Sequence, residues 1–116
     1  MFCVVYQIKI KPDSKHRIRD FIEAWSEMTN LIKKYEGGLG SRLHRVNELE
    51  YIAYAQWPDR ETWEAYGDHL PPSAEQARSV MKSCYASFTA IHTMDMIKDQ
   101  LDSIKKWDQN LILIYL

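Results

Sequence analysis

The strongest constraint on the fold is a change of hydrophobic period near the start of the chain. Apolar residues alternate in CVVYQIKIK, residues 3–11, which predicts a β-strand. From Ile18 to Tyr35 they recur instead at steps of three and four, which indicates an amphipathic helix. PDS, residues 12–14, separates the two patterns and offers an aspartate or serine side chain that can cap the helix. Gly37-Gly38 follows the helix, and glycine readily takes the left-handed conformation that ends one.

Two further strands follow as a predicted hairpin. LGSRLHRV, residues 39–46, and YIAYAQW, residues 51–57, flank NELE, which predicts a four-residue turn. Pro58 ends the second of these strands, because proline cannot donate a backbone hydrogen bond to a sheet. Asp59 then has a side chain that can cap a short helix.

A second helical region and a fourth strand complete the pattern. SAEQ, residues 73–76, fits a capping box, in which the serine and glutamine side chains each accept from the other's backbone amide. YASFTAIHTMDMI, residues 85–97, is predicted to be a strand. The buried face of the helix between them is predicted at Ala77, Val80, Met81 and Cys84.

This order of elements predicts an α+β protein: a ferredoxin-like β-α-β-β-α-β sandwich with a four-stranded antiparallel sheet and helices on one face. The predicted strands carry apolar residues at both parities, for example Val5 beside Tyr6 and Ile52 beside Ala53. Burial of both faces requires a second layer, and identical partners usually meet around a two-fold axis. We therefore expect a homodimer that pairs through its sheet faces.

Composition argues against several classes of partner. A formal net charge of −1 over 116 residues gives no general electrostatic reason to bind nucleic acid or an anionic membrane. The opening MFCVVYQIKIK has no basic segment and no small-residue cleavage site, and it is too short to span a bilayer. Cys3 and Cys84 both lie in apolar surroundings, which is typical of buried reduced thiols. We expect a cytoplasmic protein.

Three segments resemble the antibiotic biosynthesis monooxygenase family: GGLGSRLHRV, YIAYAQWPDRETWEAY and FTAIHTMDMIKD. The resemblance covers about residues 1–98 and implies an antibiotic biosynthesis monooxygenase-like domain there, with residues 99–116 as a C-terminal extension. It also implies a dimeric α/β barrel. Members include cofactor-independent oxygenases of aromatic or quinol substrates, haem-degrading enzymes and proteins without an assigned activity, so membership specifies architecture better than function.

The activity that the resemblance implies is cofactor-independent monooxygenation of an aromatic or quinol-type molecule, with O2 as the second substrate and no cofactor. Such chemistry needs a slot for a planar substrate, a group that removes a phenolic proton, and donors that stabilise the resulting anion. The substrate carbanion then reduces oxygen itself. The alternative is a non-catalytic small-molecule-binding or structural homodimer of the same fold.

The candidates for catalysis are His44, His69, His92 and Tyr54. His69 precedes LPP in a predicted loop, where functional residues concentrate, although most loop histidines are simply exposed. His92 shares its parity with Phe88 and other apolar residues of the fourth strand, a pattern that is also typical of a core histidine. Tyr54 can bond a substrate oxygen or a structural partner, and His44 is either a base or a solvated edge residue.

The candidates for substrate binding are Trp57, Trp63, Tyr66 and Arg42. The three aromatic residues concentrate at the junction between the third strand and the second helical region, where Pro58 turns the chain. Core packing explains most of this density, because the three rings are expected to meet there. Arg42 is either a substrate contact or a salt-bridge partner between subunits.

The register of the hairpin decides which candidates meet. We expect Val46 to pair with Tyr51, and a slip of one residue would reverse every face. In the expected register, two small alanines lie opposite two long polar residues and leave a hollow for a ligand. The residues that would share one face are Arg42, His44, Ala53, Ala55 and Trp57.

The sequence predicts no metal centre, because its four histidines are widely separated and neither cysteine lies in a CxxC or CxxH pattern. Haem degradation in the family relies on a strand-one asparagine, a second-helix tryptophan and a histidine below it. Aligned through Trp57, this chain has Tyr66 and Gln76 at the last two places. On strand one it has Tyr6 or Gln7. Haem degradation therefore ranks third among the hypotheses.

The C-terminal extension has two parts. KDQLDSIKKW, residues 98–107, has the apolar spacing of a short helix. NLILIYL, residues 110–116, combines high strand propensity with no charged side chain and would be an aggregation hazard if exposed. We expect it to pair with a sheet edge of either subunit, so that removal of residues 107–116 lowers solubility or dimer stability.

Overall fold

Residues 1–101, which the computed structural model describes, form four strands and three helices in the predicted order. All of NLILIYL and most of KDQLDSIKKW lie outside the described residues. Within residues 1–101, no helix is long and apolar enough to cross a membrane. The elements are β1 (Phe2–Ile10), α1 (Ile18–Tyr35), β2 (Gly40–Asn47), β3 (Glu50–Trp57), α2 (Arg60–Glu64), α3 (Ala74–Cys84) and β4 (Tyr85–Asp95).

The strands form one antiparallel sheet in the order β2-β3-β1-β4. We call the side that packs against α1 and α3 the helix face; on β1 it carries Val4, Tyr6 and Ile8. The opposite side, the outer face, carries Cys3 and Val5 on the same strand. One apolar core joins the helix face to both helices, which confirms the ferredoxin-like fold.

The two ends of α1 differ in how well the sequence predicts them. Residues 12–17 wind into a 3-10 turn, so α1 begins only at Ile18 and has no side-chain cap; the expected cap from Asp13 or Ser14 is wrong. The expected end is confirmed, because Gly37 has φ +79°. Gly38 is needed for space, since a Cβ there would lie 2.8 Å from Cγ2 of Ile32.

The β2–β3 hairpin differs from the prediction by one residue. Arg45, not Val46, pairs with Tyr51, and a bulge at Val46 leads into a two-residue turn in place of the expected four-residue turn. The cause is Asn47, whose side-chain Oδ1 accepts from the backbone amide of Leu49 at 3.0 Å and tightens the turn. The side chains opposite Ala53 and Ala55 are therefore Leu43 and Ser41, while Arg42 and His44 lie on the outer face.

A second irregularity lies in β4. Val5 pairs with His92 but Tyr6 pairs with Ala90, so Ile91 is an extra residue in the strand. Beyond this bulge the alternation of faces is reversed. The expectation that His92 and Phe88 share a face is therefore wrong: Phe88 lies on the helix face and His92 on the outer face.

The sequence predicts the N-terminal cap of α2 correctly but not that of α3. Asp59 accepts from the backbone amide of Thr62 at 2.8 Å and from its hydroxyl at 2.7 Å, which confirms the predicted cap. The capping box at SAEQ is wrong, because Ser73 already has helical angles and makes no side-chain cap. The buried face of α3 does follow the predicted stripe, and Cys3 and Cys84 are both buried free thiols.

Candidate functional site

A cavity of about 280 Å³ lies between the helix face and helices α1 and α3. The sheet side of the cavity is lined by small residues, including Gly40, Ala53 and Ala55. A cavity of about 150 Å³ can hold benzene, so the space here suits one or two fused rings. The stripe that α1 contributes, spaced at three and four residues, is Trp25, Met28, Thr29 and Ile32.

Aromatic rings form much of the wall. Trp57 is buried and its ring lies 5.3 Å from that of Tyr66, which is 41% exposed at the mouth of the cavity. Tyr6 of β1 lies 5.1 Å from Phe88 of β4, measured between ring centroids. All four residues line the cavity, so a flat molecule would meet ring surface on more than one side.

The hydroxyl of Tyr6 accepts a hydrogen bond of 2.9 Å from Nε1 of Trp63. Burial raises the pKa of Tyr6 to about 12, although the bond from Trp63 acts in the opposite direction. Tyr6 is therefore a neutral hydroxyl at physiological pH. It can hydrogen-bond a ligand, but it does not supply a phenolate base.

Two residues that line the cavity each have a buried polar side-chain atom with no hydrogen-bond partner among the described residues: Oγ of Ser41 and Nε1 of Trp57. Ser41 pairs with Ala55 across the β2–β3 ladder, so Ser41 and Trp57 are diagonal neighbours on the helix face. Leaving a buried donor unpaired costs about 1–3 kcal/mol. A ligand oxygen that accepts from these groups would remove this cost.

Two cations, Arg78 and Lys82 of α3, also line the cavity. They are four residues apart and therefore on the same side of the helix. Lys82 is exposed and the Arg78 side chain is 38% exposed, whereas Met81 between them is buried. The charged groups thus lie at the mouth of the cavity and the apolar ones within it.

The loop after α2 is held by the buried carboxylate of Glu36. Its two oxygens accept from the backbone amides of Gly67 and His69 and bond Nδ1 of His69. Tyr66 and Leu70 on either side of these contacts line the cavity. Glu36 thereby fixes one wall of the site without lining it.

The structure separates the predicted site residues into three groups. Trp57 and Tyr66 line the cavity, and Trp63 lies behind Tyr6 and supports it. His69 sits in the loop, with its side chain 74% exposed and bonded to Glu36. The residues that the structure places on the outer face, away from the cavity, are Arg42, His44, Tyr54 and His92.

Tyr54 has a specific partner on the outer face. Its hydroxyl lies 2.9 Å from Sγ of Cys3, and this hydrogen bond raises the pKa of Tyr54. The contact matches the structural alternative considered for Tyr54 from the sequence. Among residues 1–101, no group of three or more His, Cys, Asp or Glu side chains is placed to hold a metal ion.

Sequence reasoning missed Tyr6, Ser41, Arg78 and Lys82 as site residues. Tyr6 is two residues from the buried Val4 and so shares its face of β1, and its hydroxyl is a polar group on that face; the sequence pattern indicates this. Arg78 and Lys82 flank the predicted apolar stripe of α3 at a spacing of four, another available signal. Ser41 had no such signal, because its burial depends on the hairpin register.

The fold and the cavity together define an α+β ferredoxin-like protein with an aromatic-lined pocket between sheet and helices. The family model for antibiotic biosynthesis monooxygenase matches residues 1–78, and the chain belongs to this family. Among curated proteins, no sequence matches significantly.

Solved structures agree with this assignment at the level of the fold. SnoaB, a cofactor-independent oxygenase from Streptomyces nogalater, is 10% identical, with a TM-score of 0.65 over 87% of this chain and 97% of that chain. Rv0793 from Mycobacterium tuberculosis is 12% identical, with a TM-score of 0.61 over 86% and 98% of the two chains. NE2512, a protein of unknown function from Nitrosomonas europaea, is 12% identical, with a TM-score of 0.62 over 88% and 94%. At such identities the likeness concerns the fold alone.

Proposed function

We propose that this chain is a cofactor-independent monooxygenase that acts on a small aromatic or quinol-type molecule. The observation that carries the proposal is an aromatic-walled cavity whose lining includes two residues with unpaired buried donors, Ser41 Oγ and Trp57 Nε1. Such donors suit an oxygen atom on a flat ring, especially one that gains negative charge during the reaction. Family membership and the fold shared with a cofactor-independent oxygenase support the same class of activity.

The proposed reaction begins when a phenolic substrate loses its proton to solvent through the cavity mouth. Trp57 and Ser41 stabilise the resulting oxyanion, and the neutral hydroxyl of Tyr6 orients the ring. Negative charge shared onto a ring carbon reduces O2, that carbon forms a C–O bond, and a proton from solvent converts the peroxide anion into a hydroperoxide. Loss of water then leaves a quinone carbonyl, so one atom of O2 enters the product and the other becomes water.

Oxygen consumption tests this proposal. Purified protein without added metal or flavin is given a panel of naphthols and hydroquinones, and O2 uptake is followed with an electrode. We expect uptake above the rate of spontaneous oxidation, with quinone formed in equal amount and without the H2O2 that simple oxidation of a hydroquinone would release. Trp57→Phe should reduce the rate, whereas Glu23→Gln, an exposed position on α1, should not. A rate equal to spontaneous oxidation across the panel would contradict the proposal.

The placement of the three candidate histidines favours a second function, small-molecule binding without turnover. His44 and His92 are on the outer face and His69 is committed to Glu36, so none of the three faces the cavity. Tight binding of an aromatic compound, with O2 uptake no faster than in buffer, would identify a binding protein in place of an oxygenase.

We also propose that the outer face pairs with a second copy of the chain. Val5 and Ile52 lie there beside Tyr54, and Met94 is 40% exposed on the same face. Apolar side chains on both faces of a sheet favour a second layer over the outer face. Two identical faces related by a two-fold axis provide that layer.

A further inference from the structure

We infer that the cavity selects an anionic ligand: a flat ring system whose acidic group is held by Arg78 and Lys82. The inference rests on the proposed small-molecule site and names its substrate class. It concerns binding and therefore holds or fails independently of turnover.

Both cations can engage a ligand at little cost. Arg78 bonds Oε2 of Glu75 at 3.0 Å, and the Glu75 side chain is 72% exposed. Exposed ion pairs of this type contribute little to stability, so an entering carboxylate can replace Glu75. Within residues 1–101, Lys82 takes part in no ion pair. The charged groups of the described lining are thus two cations that no lining carboxylate neutralises.

The cations and the unpaired donors lie toward opposite sides of the sheet. Ser41 and Trp57 belong to β2 and β3 at one side of the strand order. Arg78 and Lys82 belong to α3, which leads directly into β4 at the opposite edge. A ligand that satisfies both sets carries a hydroxyl or carbonyl oxygen at one end and an acidic group at the other.

The volume restricts the ring system between these ends. About 280 Å³ suits one or two fused rings, and the apolar wall gives a neutral ring good contact on its own. The acidic group adds charge-assisted hydrogen bonds at the mouth, which are stronger than neutral ones. The ring should therefore contribute equally to the affinity of acids and of their neutral analogues. Only the acid should gain further affinity from the two cations of α3.

The test compares two probes of nearly equal shape, 6-hydroxy-2-naphthoate and 6-hydroxy-2-naphthamide. Titration calorimetry at neutral pH gives a Kd for each. We expect the carboxylate to bind about tenfold more tightly than the amide, the gain typical of a hydrogen bond to a charged group. Lys82→Met and Arg78→Met should each reduce this preference, and the double variant should remove it. The Kd of the amide should stay the same throughout.

Arg19→Met is the matched control, because it removes one positive charge from an exposed position of α1 outside the cavity lining. It should leave the preference for the carboxylate unchanged. The inference is overturned by equal Kd values in the unmodified protein, by failure of the carboxylate to bind, or by a preference that survives in the double variant.

The outcomes also separate this inference from the proposed function. Preference for the carboxylate without O2 uptake upholds the inference and contradicts the oxygenase. O2 uptake with neutral quinols and equal Kd values for the two probes upholds the oxygenase and overturns the inference.

Discussion

One carboxylate oxygen of Glu36 lies 2.9 Å from the backbone nitrogen of His69 and 3.0 Å from Nδ1 of the same residue. The other oxygen accepts from the amide of Gly67. The Glu36 side chain is only 1% exposed, so these bonds replace its hydration. A buried acid at the end of α1 thus holds the loop that supplies one wall of the cavity.

We predict that Glu36→Gln lowers the free energy of unfolding by about 2 kcal/mol. Glutamine has one accepting oxygen, so its NH2 group would face an amide donor of Gly67 or His69 and leave it unpaired. Urea denaturation measures the loss, and hydrogen exchange should show faster exchange of the two loop amides.

His69→Ala separates the backbone bonds from the side-chain bond. It removes only the contact at Nδ1, and the imidazole is 74% exposed, so we expect a loss of less than about 1 kcal/mol. A larger effect for His69→Ala than for Glu36→Gln would show that the imidazole, and not the loop backbone, is what Glu36 holds.

Ser41 and Ser14 offer a matched pair. Ser41 Oγ has no partner within the described residues, whereas Ser14 Oγ donates to the carbonyl of Ser83 at 3.4 Å. We expect Ser41→Ala to leave stability unchanged or slightly raised and to weaken ligand binding. Ser14→Ala should cost about 0.5–1 kcal/mol and leave binding unchanged. A destabilised Ser41→Ala protein with normal affinity would assign Ser41 to the core.

Trp63 contacts the cavity residue Tyr6 but does not itself line the cavity. Its ring lies 5.6 Å from Phe2 and its Nε1 bonds Tyr6, so Trp63→Ala removes both ring packing and a hydrogen bond. We expect it to lower the free energy of unfolding by about 2–3 kcal/mol, below the range for a fully buried tryptophan. Tyr66→Ala, at a more exposed ring, should cost less. An unchanged melting temperature together with lost ligand binding would instead place Trp63 in the binding surface.

Alkaline pH should reveal the buried hydroxyl of Tyr6. Its pKa is raised by burial to about 12 in the folded protein, whereas an unfolded tyrosine ionises near 10. The folded state therefore holds this proton where the unfolded state has lost it, and stability falls as pH rises from about 10 to 12. Urea denaturation at pH 9 and 11.5 should show a loss about 1–2 kcal/mol larger for the unmodified protein than for Tyr6→Phe. Equal losses would mean that Tyr6 ionises like an exposed tyrosine.

Ile52→Lys tests the proposed pairing of outer faces. A lysine at this position would place a charge inside the proposed interface in each subunit, so we expect monomers in sedimentation velocity runs. Glu23→Lys, which changes charge on the exposed side of α1, should leave the oligomeric state unchanged. A monomer before any substitution would contradict the proposal directly.

The sequence predicted the elements well because each rests on local periodicity. The stripe from Ile18 to Tyr35 and the alternation in β1 are repeated over many residues, so a single exception does not obscure them. The break between α2 and α3 was equally visible, because Gly67 and the prolines after Leu70 interrupt the helical pattern.

The site was harder to predict because it depends on register. Val46 is a good strand residue, and nothing in its identity shows that it is bulged; Asn47 and its Asx turn decide that. Because the register differs by one residue from the predicted one, Arg42 and His44 lie on the outer face, and Ser41 lies on the helix face instead. The cavity residues on α1 and α3 are easier to predict, because the face that a helical residue occupies does not depend on the register of the strands.

The extra residue at Ile91 in β4 affects how knowledge can be transferred from relatives to this chain. An alignment that is shifted by one residue there matches an outer-face residue of this chain, such as His92 or Met94, with a helix-face residue of the relative. At 10–12% identity, few matched residues fix the alignment along this strand. Functional residues on the second half of this strand should therefore be compared only after superposition of the backbones.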